Sequence, residues 1–160
     1  MSMALIKDIL EQRNQTLSVA ESCTGGGLAH EITSLPGVST IFLGGVVTYS
    51  NEAKQKILHI GAEILQNKGA VSQEVAQAMA ANCRRVFGST WALSTTGIAG
   101  PTGGSIDKPV GLVWIGLAGP SFIGAQQFVF SDISRLEHRQ KTIEQALGIL
   151  TALLINNGTI

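Results

Sequence analysis

The stretch 110-VGLVWIGLAGPSFIGAQQFVF-130 decides how the rest of the chain is read. It holds two apolar runs, 110–118 and 122–130, separated by Gly119-Pro120. Adjacent Gly and Pro between β-prone runs mark a tight turn, so the two runs form a hairpin. A hairpin pairs its strands antiparallel. Upstream, strands are read at 16-TLSVA-20, 41-IFLGGVVTY-49 and 91–96, with helical patterns interposed. Helices between strands favour parallel pairing, and a terminal hairpin does not. Together they predict an α/β fold: a three-layer α/β/α sandwich around a mixed sheet of about five strands. A pure doubly wound fold fits less well.

The helices follow from apolar spacing and end signals. Residues 4–12 place Leu5, Ile6, Ile9 and Leu10 on one face. A helical pattern after 21-ESCTGGG-27 runs to Ser34 and breaks at Pro36-Gly37. Ser50 or Asn51 caps a helix starting at Glu52, and 62–67 form a short helix stopped by Gly69. In 72-SQEVAQAMAANCRRVFG-88, Ser72 is the cap, Val75, Met79, Cys83 and Val86 the stripe, and Gly88 the stop. The last helix opens on the capping box 134-SRLE-137, with Ile143, Leu147, Leu150 and Leu154 as its stripe. The order is α-β-α-β-α-α-β-β-β-α, in one domain over 1–160. The sequence shows no internal repeat and no linker.

Composition narrows the function classes. Hydrophobic residues are 44% of the 160 and charged residues 14%, which is apolar enough to point to a homo-oligomer. Eleven Lys+Arg balance eleven Asp+Glu, so there is no basic excess for nucleic acid and no basic run for a lipid surface. The cysteines Cys23 and Cys83 form no CxxC, and His30, His59 and His138 are scattered, so no metal site is expected. Neither a cleavable leader nor a run of membrane-spanning length is seen, and a cytoplasmic location is expected.

Three segments carry candidate chemistry. The first, 21-ESCTGGG-27, joins a strand to a helix, where backbone N–H groups meet the positive end of a helix dipole and favour an anion or a developing oxyanion. It offers Ser22 and Cys23 as nucleophiles; alternatively Ser22 or Thr24 only caps the helix. The second, 48-TYSNEAKQK-56, places Lys54 one turn inside a helix. A lysine serves as a base for a serine only if burial or a neighbouring cation lowers its pKa. Otherwise Lys54 belongs to a solvated face, like Lys56. Tyr49, the only tyrosine, is suited to orient a proton relay. The third, 97-GIAGPTGGSIDKPVG-111, is rich in glycine, and Thr102, Ser105 and Lys108 add hydroxyls and a positive charge. These are the parts of a phosphate-binding loop, or else a plain connection between strands.

Read together, 20-AESCTGG-26, 47-VTYSNEAK-54, 69-GAVS-72 and 97-GIAGPTGGSIDKPVGLVW-114 resemble the CinA C-terminal domain family. That family includes a domain of competence/damage-inducible CinA proteins and stand-alone nicotinamide-mononucleotide amidases. The chain resembles the stand-alone form, having no room for the module that CinA proteins carry in front. The resemblance implies an α/β/α fold. It also implies hydrolysis of the carboxamide of a pyridine mononucleotide, nicotinamide mononucleotide, in pyridine-nucleotide recycling, with no cofactor and no metal. Carried over by motif, the catalytic serine falls on Ser22, its lysine base on Lys54 and the assisting tyrosine on Tyr49. Thr24, Gly25 and Gly26 of the first motif, and Gly100, Thr102, Gly103, Gly104, Ser105 and Lys108 of the third, are the implied substrate contacts. The family's Gly-Asp-Arg element is not intact in 130-FSDISRLEHRQ-140. Arg135 is the best-placed substitute, Arg139 the second, and Lys108 competes with them for the phosphate. The rival reading is a catalytically silent nucleotide-binding or interaction module linked to competence or DNA damage.

Overall fold

The computed structural model describes residues 3–156. Five strands, β1 (Leu17–Glu21), β2 (Phe42–Val47), β3 (Trp91–Gly97), β4 (Leu112–Gly119) and β5 (Phe122–Val129), form one sheet in the order β2-β1-β3-β4-β5. β1 pairs parallel with both β2 and β3, while β4 runs antiparallel to β3 and to β5. The hairpin turn is Pro120-Ser121, closed by the pairing of Gly119 with Phe122. The mixed sheet read from the sequence is therefore present, with three helices between β2 and β3 where the order written from the sequence holds two.

The helices are α1 (Met3–Gln12), α2 (Gly27–Thr33), α3 (Asn51–Leu58), α4 (Ala62–Lys68), α5 (Gln73–Phe87) and α6 (Arg135–Ile155). A single 3-10 turn at Val38–Thr40 lies beyond the Pro36-Gly37 break. Ser50 caps α3 by accepting the Ala53 amide, Ser72 caps α5 by accepting the Val75 amide, and Ser134 and Glu137 complete the capping box of α6.

Strand side chains alternate between two apolar layers. On one face Leu17, Val19, Leu93 and Ile115 pack with α1, α2 and α6 through Ile6, Leu10, Leu28, Ile32, Leu150 and Leu154. On the other, Ala20 and Ala92 meet α3, α4 and α5 through Leu58, Leu65, Val75, Met79 and Cys83. This second face is built from small residues, so α5 comes very close. A Cβ on Gly116 would stand 2.3 Å from the Ala76 carbonyl oxygen, which itself accepts from the Ser94 hydroxyl at 2.6 Å. Two stripe residues depart from expectation: Leu5 is 41% exposed and Val86 48% exposed. Each lies at the margin of its apolar stripe, where a helix on an open sheet turns toward solvent.

Parallel β1, β2 and β3 end together, so the loops after them share one end of the sheet, where α/β folds build sites. β4 leads away from that end and β5 returns to it. The hairpin thus delivers the start of α6 to the same place as the β1, β2 and β3 loops.

Candidate active site

The turn after β1 is organised by a residue that the motif reading passed over. Glu21, 1% exposed, ends β1 and folds its carboxylate back over the turn. Its Oε2 accepts from the Thr24 hydroxyl at 2.6 Å and from the Gly26 and Leu28 amides at 3.0 Å each, and its Oε1 accepts from the Ala29 amide at 2.8 Å. The positive end of α2, expected to receive a substrate anion, is therefore filled by the chain's own carboxylate. That corrects the reading of this helix start as an open anion site. Thr24 is fully buried, and its hydroxyl is also 2.7 Å from that of Thr95 on β3. Of Thr24, Gly25 and Gly26, Gly25 alone is exposed.

Ser22 lies at the start of this turn, 8% exposed, with its amide donating to the Thr95 carbonyl at 2.9 Å. Lys54 approaches it from the first turn of α3. The lysine is 1% exposed, and its Nζ is 3.0 Å from Ser22 Oγ, 2.7 Å from the Thr48 carbonyl oxygen and 3.4 Å from that of Tyr49. The solvated-face reading of Lys54 is thus excluded. Burial lowers its pKa from 10.5 to about 8. As an ammonium, Lys54 donates to all three oxygens. Once neutral it keeps two N–H donors for the two carbonyls and turns its lone pair to the Ser22 hydroxyl. Burial acts oppositely on Cys23, pushing its thiol up to about 12, so it holds no thiolate near neutral pH.

Tyr49 contributes differently from the expected relay. Its carbonyl faces Lys54, but its phenol, on a side chain left 59% exposed, accepts from Arg135 Nη2 at 2.8 Å. Arg135 Nη1 donates to the Gly100 carbonyl at 2.9 Å. One guanidinium thus links the β2–α3 junction to the glycine-rich loop. Arg139, one turn further along α6, donates through Nε and Nη2 to the Thr24 carbonyl at 3.1 and 2.6 Å. Lys108 is grouped elsewhere, with its ammonium on the Lys68 carbonyl.

The loop between β3 and β4 is folded on itself. A Cβ on Gly100 would lie 2.5 Å from Val110 Cγ1, and one on Gly104 would lie 2.6 Å from the Val110 amide nitrogen. The glycines thus admit the loop's own Val110 as well as freeing its backbone. Thr102, Gly103, Gly104 and Ser105 are exposed. Buried His138 on α6 anchors the loop's far end through a 3.1 Å hydrogen bond between Nε2 and the Gly111 carbonyl. The structure brings Ser22, Lys54, Tyr49, Gly100 and Arg135 into one bonded chain around the carboxyl ends of the parallel strands.

The family of the CinA C-terminal domain matches residues 2–154. The chain belongs to that family. A CinA-like protein of Acaryochloris marina is 54% identical over 85% of this chain, and one of Synechococcus is 46% identical over 96% of it. The chain spans about a third of the length of these curated relatives, 32% and 37% respectively. Among solved structures, the competence damage-inducible protein A of Klebsiella pneumoniae superposes with a TM-score of 0.92 at 31% identity, covering 96% of this chain and 94% of that one. The competence/damage inducible protein CihA of Agrobacterium tumefaciens gives 0.89 at 38% identity, with 94% of each chain covered. The mixed five-stranded α/β sheet is thus that of CinA-superfamily structures. Among the described residues, no helix is long and apolar enough to cross a membrane, and no group of three or more His, Cys, Asp or Glu is placed to hold a metal ion.

Proposed function

We propose that this CinA-family domain is an amidohydrolase that converts nicotinamide mononucleotide to nicotinate mononucleotide and ammonia. The observation that carries the reading is the buried Lys54 amine, its pKa lowered to about 8, at 3.0 Å from Ser22 Oγ. A lysine that spends part of its time neutral beside a serine hydroxyl is a general base. In the proposed reaction, Lys54 takes the Ser22 proton as Oγ attacks the carboxamide carbon. Backbone N–H groups after Ser22 stabilise the oxyanion. Lys54 returns the proton to the departing ammonia, and water then hydrolyses the acyl-enzyme, releasing the acid. The glycine-rich loop and Arg135 hold the ribose phosphate, with the guanidinium exchanging its bonds to Tyr49 and Gly100 for the anion.

The test is ammonia release from nicotinamide mononucleotide by purified protein, followed from about pH 6 to about pH 10. Only neutral Lys54 acts as the base. Turnover at subsaturating substrate is therefore expected to climb through pH about 8 and then level off. Binding of the nucleotide without ammonia release would overturn the amidase reading and favour the silent-module alternative. Release of ammonia only from other pyridine amides would move the substrate and keep the chemistry.

A further inference from the structure

We infer that Glu21 is a positioning residue for the proposed reaction: it sets Ser22 and the amides that follow it, and it does so without touching the substrate. The inference rests on the Ser22–Lys54 reading and extends it to a group that the reading does not use. A carboxylate that is 1% exposed is costly to bury unless its oxygens are satisfied. Here four donors satisfy it, all of them in residues 24–29 immediately after Ser22. Two further bonds tie the same segment: the Gly25 amide donates to the Ser22 carbonyl, and the Gly27 amide donates to the Thr24 carbonyl. Among the described residues, the amides of Cys23 and Thr24 are then the ones in this turn left without a carbonyl or carboxylate acceptor, the Cys23 amide facing only its own thiol. Those are the donors an oxyanion on the Ser22-bound carbon needs. The contact between the Thr24 and Thr95 hydroxyls also ties the cluster to β3, whose Thr95 carbonyl holds the Ser22 amide. Glu21 is thus the hub that fixes which amides are consumed by the chain's own oxygens and which are not.

The test uses a fluorophosphonate probe, which needs a poised serine but no recognition of the nucleotide. Ser22 Oγ forms an O–P bond, fluoride leaves, and the hydroxyl proton passes to Lys54. The rate of labelling at Ser22 is read by peptide mass spectrometry. Glu21→Gln keeps one carbonyl oxygen for the cluster and presents an NH2 group toward the Ala29 amide. Labelling is expected to slow by about 10- to 100-fold. The pH midpoint of labelling, set by Lys54, is expected to stay in place, and in turnover kcat is expected to fall with little change in KM. A purely structural role would lower the unfolding midpoint and leave the folded fraction reacting at the wild-type rate, which would overturn the inference. Should Glu21→Gln fail to fold, Thr24→Val decides. It removes one donor to Oε2 and the link to Thr95 while leaving the three amide bonds. Labelling about threefold or more slower supports the positioning role, and an unchanged rate overturns it. If Ser22 of the wild-type protein is not labelled in preference to other serines, the Ser22–Lys54 reading itself fails and this inference falls with it.

Discussion

Two glycine-bearing segments share one end of the sheet, and they are held in different ways. The turn from Glu21 to Ala29 is fixed by polar bonds to a single buried carboxylate. The loop from Ile98 to Gly111 has no such hub: single bonds along it, such as Arg135 to the Gly100 carbonyl and the Gly111 amide to the Ile98 carbonyl, join Val110 seated against Gly100 and Gly104, and its middle residues are exposed. Directional bonds with a buried anion hold atoms to a fraction of an ångström, which the proposed chemistry at Ser22 requires. Interlocked glycines and a valine keep a loop folded while leaving most of its surface free for a ligand. Similar composition thus gives two kinds of support, and the difference lies in what fills the space beside the glycines.

The sharpest way to break this division is at Lys54, on the chemical side. Lys54→Met is expected to lower kcat/KM by about 10³-fold or more. It is also expected to change how stability depends on pH. The folded pKa of about 8 lies below the ordinary 10.5, so under pH 8 the protein pays to keep a charged amine buried. Lys54→Met sheds that cost but also takes the lysine donor from the Thr48 and Tyr49 carbonyls. Between pH 8 and 10.5 the unfolded chain holds the proton and the folded chain does not, so wild-type stability rises relative to the variant by about 1–3 kcal/mol. Urea unfolding at neutral and alkaline pH checks this, and a difference between the two proteins that stays constant over that range would contradict it.

A smaller effect is expected at the junction between the two regions. Arg135→Gln removes the bonds to Gly100 and Tyr49. KM for the mononucleotide is expected to rise about tenfold, with kcat within about threefold. A fall in kcat at constant KM would instead place Arg135, through Tyr49, on the chemical side. The smallest effect belongs to the loop. Gly104→Ala forces the backbone at Val110 to give way, and KM is expected to rise about threefold while labelling of Ser22 is unchanged. Loss of labelling in that variant would show that the two segments are one mechanical unit.

Much of this organisation was legible in the order of residues. The hairpin at Gly119-Pro120 marked the sheet as mixed, and the capping serines marked where helices start, because both signals are local. The pairing of Lys54 with Ser22 is implied by the family resemblance of their motifs and not by the residues read singly. The depth of its burial depends on α3 packing, which spacing does not express. Glu21 was missed because its donors come from the next turn of chain, and a charged residue at a strand end reads as solvated until the fold closes over it. One signal was present: a glutamate ends an otherwise apolar strand directly before the serine. Lys108 and Arg135 looked equivalent as cations, since only tertiary placement separates the Lys68 carbonyl from the Tyr49 phenol as their partners.

The site is assembled from segments far apart along the chain: Glu21 to Ala29, Thr48 to Lys54, Thr95 to Gly100, and Arg135 to Arg139. During synthesis, Ser22 and Lys54 leave the ribosome before the strand whose Thr95 carbonyl holds the Ser22 amide, and the helix carrying both arginines follows that strand. A nascent or prematurely terminated chain therefore carries a serine and a lysine without the frame that aligns them. If Ser22 and Lys54 act as proposed, the two reacting groups are translated before the elements that align them, and a chain ending short of α6 is expected to lack that alignment.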